Sequence, residues 1–225
     1  MDEIKTIAGF LSRDILQNFD PEHDKWVMEQ ERKREEEEKR ECYKKAVPAR
    51  YWAESLDTYK ADSDERKAAK SKACAFIHAV KCGQFQTLIF LGTVGTGKTH
   101  LACGIIRECG GIYRLAPAIV EEIRRAKSFT AKETEAEILD DYGCASLLVV
   151  DEIGRGVAAA EEQYMLYQII NERYNRRKPT VLISNQTKKD FLQYVGIAAA
   201  DRLTESAQAV EFAGKSYRAS LRSNG

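Results

Sequence analysis

Residues Gly92 to Thr99 read Gly-Thr-Val-Gly-Thr-Gly-Lys-Thr, and this stretch constrains the fold more than any other. The pattern is Gly-x4-Gly-Lys-Ser/Thr, and both flanks suit it. Ahead of it, Thr87-Leu88-Ile89-Phe90-Leu91 is apolar and β-prone, as a buried strand is. Behind it, His100-Leu101-Ala102-Cys103-Gly104-Ile105-Ile106 carries apolar residues at helical spacing. Strand, glycine-rich turn and helix in that order build a phosphate cradle. The glycines let the backbone turn tightly so that successive N–H groups face the phosphates, and the helix N-terminus adds its positive end. The expected nucleotide-binding residues are therefore Gly92, Thr93, Val94, Gly95, Thr96, Gly97, Lys98, Thr99 and His100. Lys98 is expected to reach the β- and γ-phosphate oxygens, and the Thr99 hydroxyl to ligate Mg²⁺. The expected ligand is a nucleoside triphosphate.

The pattern after residue 86 alternates strands with helices, which predicts an α/β fold with a parallel sheet sandwiched by helices. Expected strands are 88–91, 112–115, 146–150, 180–184 and 210–212; expected helices are 100–108, 117–127, 133–140 and 161–176. Ahead of the glycine-rich turn, a helix is expected over 63–81, with Ala68, Ala75, Phe76 and Ala79 facing inward. The aromatic residues of 50–59 either pack into the core or cap the nucleotide's base. Residues 1–45 form a separate, short helical extension in this reading, and 46–225 the nucleotide-binding domain. Within the extension, Ile4, Ile7, Ala8, Leu11 and Ile15 fall on one helical stripe, suited either to a partner's groove or to the chain's own core. From Glu22 to Lys45 both charge signs are dense, as in a solvated helix held by i,i+4 pairs or a partly disordered segment.

A second motif supplies carboxylates. Leu147-Leu148-Val149-Val150-Asp151-Glu152 is an apolar run, as a strand buried on both faces should be, ending in two acids. Asp151 is expected to hold Mg²⁺ beside Thr99, and Glu152 to act as general base on the attacking water. NTPases with that glutamate carry a further strand between the two motif strands. Here the candidate is 180–184, ending at Asn185, whose amide is placed to contact both the γ-phosphate and the water.

Composition removes some classes. Lys and Arg total 35 and Asp and Glu 35, so no global field draws the chain to nucleic acid or membrane. Any DNA contact must come from a local patch. Six cysteines show no Cys-x-x-Cys pair and no zinc spacing, as expected of reduced thiols in a cytoplasmic protein. No apolar run approaches a membrane span, and the N-terminus has no signal-peptide pattern.

The ordered set GTVGTGKTHLA, LLVVDEIG, INERYNRRKPTVLISN, ADRLTE and KSYR resembles the AAA+ ATPases of the DnaC/DnaI helicase-loader and IstB group. Val47-Pro48-Ala49-Arg50-Tyr51-Trp52 and Leu56-Asp57-Thr58-Tyr59 resemble the segment preceding the P-loop there. The resemblance implies that Asn185 is a sensor, Arg202 an arginine finger acting on a neighbouring subunit, and Arg218 a second sensor acting in cis. It also implies ATP as the nucleotide, self-assembly through the finger, and a C-terminal lid reduced to fit the roughly forty residues after Asn185. The segment 117–141 matches a helical insertion that touches single-stranded DNA in the group. Arg124, Arg125, Lys127 and Phe129 are then the DNA-binding candidates, unless they are a solvated amphipathic face. The implied function is an ATP-dependent helicase loader delivering a hexameric replicative helicase. The alternatives are an IstB-type helper of a DNA transposase and an interaction module without turnover.

Overall fold

The computed structural model describes residues 21–128 and 130–214. The chain divides into two compact units between Cys42 and Tyr43. The described part of the first belongs to helix α1 (Pro21–Ala46), which is dense in charge with Glu22 and Asp24 in its first turn. Arg32 reaches Glu29 and Glu36, each at 2.8 Å, and Lys39 reaches Glu35 at 3.7 Å. These pairs at three- and four-residue spacing are what hold such a sequence helical. Trp26 and Met28 are its exposed apolar side chains. The apolar stripe expected over residues 4–15 lies outside the described residues.

The second unit is built on a five-stranded sheet in the order β2-β3-β4-β1-β5. The strands are β1 (Thr87–Gly92), β2 (Ile112–Leu115), β3 (Leu148–Ile153), β4 (Thr180–Ser184) and β5 (Ala207–Phe212). Every pairing is parallel. The strand expected between the two motif strands is there: β4 lies between β1 and β3. The central strands are buried from Thr87 to Leu91 and from Thr180 to Ser184, which is why their sequences are largely apolar rather than alternating.

Successive residues nevertheless serve opposite layers. Leu88 and Phe90 pack with Val149 and Ile183 under α2 (Asp64–Lys81) and α3 (Lys98–Cys109). Ile89 and Leu91 pack with Leu148 and Val150 on the other side. That layer holds α4 (Ala116–Ala126), α5 (Glu135–Cys144), α6 (Ala159–Asn175), α7 (Lys188–Val195) and α8 (Ile197–Ser206).

Two expectations need correction. On α2 the buried residues are Ala69, Ala73, Phe76, Ile77 and Ala79, whereas Ala68 and Ala75 face solvent. The buried stripe is set by the bulky Phe76 and Ile77, and an alanine is small enough to stand on the outer face without cost. Helices α7 and α8 were not anticipated; α7 is capped by Thr187, whose hydroxyl accepts from Asp190 N. Among the described residues no helix is long and apolar enough to cross a membrane.

Candidate nucleotide site

Parallel sheets place their functional groups beyond the carboxyl ends of the strands. At that edge lies a cleft of about 460 Å³, lined by Val94 to His100, Tyr113, Asp151, Glu152, Arg155 and Asn185, with Arg50, Glu54, Tyr59 and Arg66 from the preceding segment. Thus β1, β3 and β4 each deliver one motif to a single opening. The size suits a small ligand.

The turn after β1 is shaped by glycine. Gly92 has φ 115°, and a Cβ there would sit 2.2 Å from the Phe212 carbonyl oxygen of β5. Gly97, the N-cap of α3, has φ 98°, and its Cβ would meet the Tyr59 ring at 2.7 Å. Lys98 is buried, and its Nζ donates to Gly92 O and Thr93 O, both at 2.7 Å. Burial lowers its pKa to about 8, against the opposing pull of Asp151. An ammonium held only by carbonyls is easily redirected to an arriving anion.

Thr99 and Asp151 meet directly: the hydroxyl donates to Asp151 Oδ2 at 2.7 Å. Asp151 Oδ2 also accepts from Tyr113 Oη at 2.8 Å, and Oδ1 from Glu152 N at 2.6 Å. One hydroxyl and one carboxylate side by side are hard oxygen donors, the kind Mg²⁺ takes while keeping most of its waters. The residues present therefore fit that ion. Glu152 follows at the end of β3, with φ 58° and a shifted pairing register between Val150 and Ile153. A non-glycine residue in this conformation stores strain, and such strain gathers at functional sites. Its carboxylate is met by Arg155 at 3.1 Å. The loop beyond is tied down by Glu162, a buried acid on α6 that accepts from Gly154 N at 2.6 Å.

The preceding segment closes the other wall. His100 Nδ1 faces Glu54 Oε2 at 2.7 Å, while Nε2 faces Ser55 O at 2.8 Å and Thr58 Oγ1 at 3.1 Å. Tyr59 stands edge-on to His100, with ring centroids 5.3 Å apart. Its hydroxyl is buried without a hydrogen-bond partner among the described residues, a polar atom that a bound nucleotide would satisfy. Of the two readings of the aromatics, Tyr59 joins the cleft and the core together.

The cleft thus gathers Lys98, Thr99, Asp151, Glu152 and Asn185. Gly92 and Thr93 shape it through their carbonyls. Arg202 lies elsewhere, on α8, where its guanidinium stacks on Tyr174 at 5.1 Å and pairs with Asp201 at 3.3 Å. Arg218 and Phe129 lie outside the described residues. The DNA candidates are tied to carboxylates: Arg124 to Glu161 at 2.6 Å, Arg125 to Glu121 at 3.3 Å, and Lys127 to Glu135 at 3.5 Å. Sequence reasoning passed over Tyr113, Arg155 and Glu162. Nothing around them in the chain marks them; only the sheet and the β3–α6 loop bring them to the site.

Comparison with known proteins agrees with this geometry. The family model described as IstB-like ATP binding protein matches residues 22–225. The chain is 26% identical over 153 residues to the Replicative helicase loader DnaC of Escherichia coli strain K12, covering 66% of this chain and 62% of that protein. It is 29% identical over 159 residues, with the same coverages, to an ATP-binding protein assigned to insertion sequence IS232 of Bacillus thuringiensis. The aligned region thus spans 62% of the length of each of these relatives. The crystal structure of the DnaC helicase loader superimposes with a TM-score of 0.66 at 21% identity, over 73% of this chain and 99% of that chain. The shared fold is the P-loop AAA+ domain.

Proposed function

We propose, given that the chain belongs to the IstB-like ATP-binding protein family, that it is a Mg²⁺-dependent ATPase whose nucleotide cycle switches an assembly on DNA. The observation that carries this is the single cleft where Lys98, Thr99, Asp151, Glu152 and Asn185 meet. In this reading Lys98 swings from the Gly92 and Thr93 carbonyls to the phosphates. Thr99 and Asp151 would hold the metal, which when bound would supply charge neutralisation on the transferring group. Glu152 takes the proton of the attacking water, a role worth about 10²–10⁴ in rate. Asn185 orients that water and senses the γ-phosphate. Arg202 serves a neighbouring subunit, which its position apart from its own cleft supports, and Arg218 acts in cis.

The preferred biological reading is a helicase loader: the ATP state grips single-stranded DNA and a hexameric replicative helicase, and hydrolysis releases them. The likeness to a replicative helicase loader supports it. Arg124, Arg125 and Lys127 would exchange carboxylates for phosphates on the strand, with Phe129 as a stacking ring. Arg125→Ala with Lys127→Ala would then flatten the salt dependence of binding by about 1.4 log units per decade. The second reading, an ATPase helper of a transposase, is supported by the similar likeness to the insertion-sequence relative.

The deciding experiment uses Glu152→Gln, expected to bind Mg·ATP and lose hydrolysis at least 10²-fold. Its native mass is measured with Mg·ATP and either hexameric replicative helicase or duplex DNA. A complex with the helicase supports the loader. Assembly on duplex DNA with no helicase complex selects the transposition helper.

A further inference from the structure

Tyr113 is the third member of the Thr99–Asp151 pair, and none of the motifs includes it. It sits on β2, beside β3, in register with Val149. Its phenol crosses to Asp151 and donates to Oδ2 at 2.8 Å, the same oxygen that accepts from Thr99 at 2.7 Å. The side chain is buried, its ring tilted against Tyr51 with centroids 6.4 Å apart. It also lines the cleft. The phenol can donate one proton, and that proton is committed to Asp151.

From this arrangement we infer that Tyr113 is a positioning residue for the divalent cation: it fixes the Asp151 carboxylate in the rotamer that meets the metal shell of Thr99. The inference rests on the ATPase reading of the cleft. Its physics is that of any metal site, where partners of a ligating carboxylate set its orientation and strongly affect affinity. Asp151 Oδ1 is held by Glu152 N, from its own chain neighbour. Oδ2 is held by two hydroxyls from two other elements, α3 and β2. With Mg²⁺ bound, Thr99 would offer the ion a lone pair, while the Tyr113 hydroxyl would continue to anchor the acid. The proposed role predicts a metal-specific defect. Losing the hydroxyl should leave the phosphate cradle intact and loosen only the cation.

Tyr113→Phe keeps the ring and removes only that hydroxyl. The experiment compares wild-type and variant chains by equilibrium binding of a fluorescent ATP analogue, first with EDTA and then across a Mg²⁺ titration. A parallel Mn²⁺ titration is followed by electron paramagnetic resonance. The inference predicts that metal-free binding by the folded variant holds at the wild-type level, with a melting temperature lowered only by the few degrees that one lost hydrogen bond costs. It predicts a rise of about ten-fold in the Mg²⁺ and Mn²⁺ concentrations at half-saturation. Unchanged metal dependence would overturn it. So would an equal loss of metal-free and metal-dependent binding, which would make Tyr113 a packing residue only. Failure of the wild-type chain to bind the analogue at all would overturn the nucleotide reading, and the inference with it.

Discussion

The two ends of the sheet each bury a cation beside backbone carbonyls, and they do so to opposite ends. Beyond the carboxyl ends of the strands, Lys98 Nζ rests on Gly92 O and Thr93 O in the wall of an open cleft. At the amino ends, Arg173 of α6 is fully buried, donating to Tyr142 O at 2.6 Å, Ala145 O at 2.9 Å and Pro179 O at 2.5 Å. Its Nε donates to Thr180 Oγ1 at 2.8 Å. Burial lowers both pKa values, to about 8 for Lys98 and about 10 for Arg173. Among the described residues neither makes an ion pair with a carboxylate.

The difference lies in the donors. A guanidinium is a planar fork that satisfies several fixed carbonyls at once, so Arg173 seals the end of α5 against the starts of β3 and β4. An ammonium is a compact charge on a flexible stem, which carbonyls hold lightly and a phosphate can take away. One end of the sheet is closed by its cation; the other is armed by it.

The largest effect should come at the closed end. Arg173→Met leaves Tyr142 O and Ala145 O without their Arg173 donor and Pro179 O with only Leu148 N at 3.4 Å, and buried unsatisfied groups cost about 1–3 kcal/mol each. Chemical denaturation should show a loss of at least ~3 kcal/mol, while the ATP affinity of the molecules still folded stays at the wild-type value. Equal damage to both would break the comparison.

The open end should answer to pH instead. A phosphate wants the charged ammonium, so binding must restore the proton that Lys98 releases above about pH 8. ATP affinity should fall about ten-fold between pH 7 and pH 9, with close to one proton taken up per ligand in calorimetry with buffers of different ionisation heats. Stability moves the other way. The folded pKa lies below the usual 10.5, so the unfolded chain binds more protons between about pH 8 and 10.5, and this group's contribution to stability rises across that window. Lys98→Arg should flatten the affinity profile. An unchanged slope would assign it to another group.

The smallest effect sharpens the closed end. Thr180→Val removes the acceptor of Arg173 Nε and should cost about 1 kcal/mol, read by denaturation, with no change in ATP binding.

Much of the open end was legible because its chemistry is local. Eight consecutive residues make the phosphate turn, and two adjacent acids end β3. The strands were legible too, since burial on both faces demands unbroken apolar runs such as Leu88–Leu91 and Val181–Ile183. What escaped depends on distance along the chain. Tyr113 meets Asp151 across 38 positions, and His100 meets Ser55 across 45. Arg173 reads as one more charge on a polar helix, because carbonyl acceptors leave no trace in sequence. Helices α7 and α8 escaped for a different reason. Gly196 and the run Ala198-Ala199-Ala200 read as a small-residue stretch, although Thr187 and Asp190 carry a cap signal that would have placed α7.

In the proposed cycle Lys98 is held in reserve for a triphosphate. Titration calorimetry of the wild-type chain and Lys98→Ala with Mg·ATP, alongside their melting temperatures, tests it most directly. The account predicts saturable binding by the wild-type chain, and binding lost in the variant with no fall in melting temperature. Equal binding by the two, or loss of binding only because the variant unfolds, would contradict it.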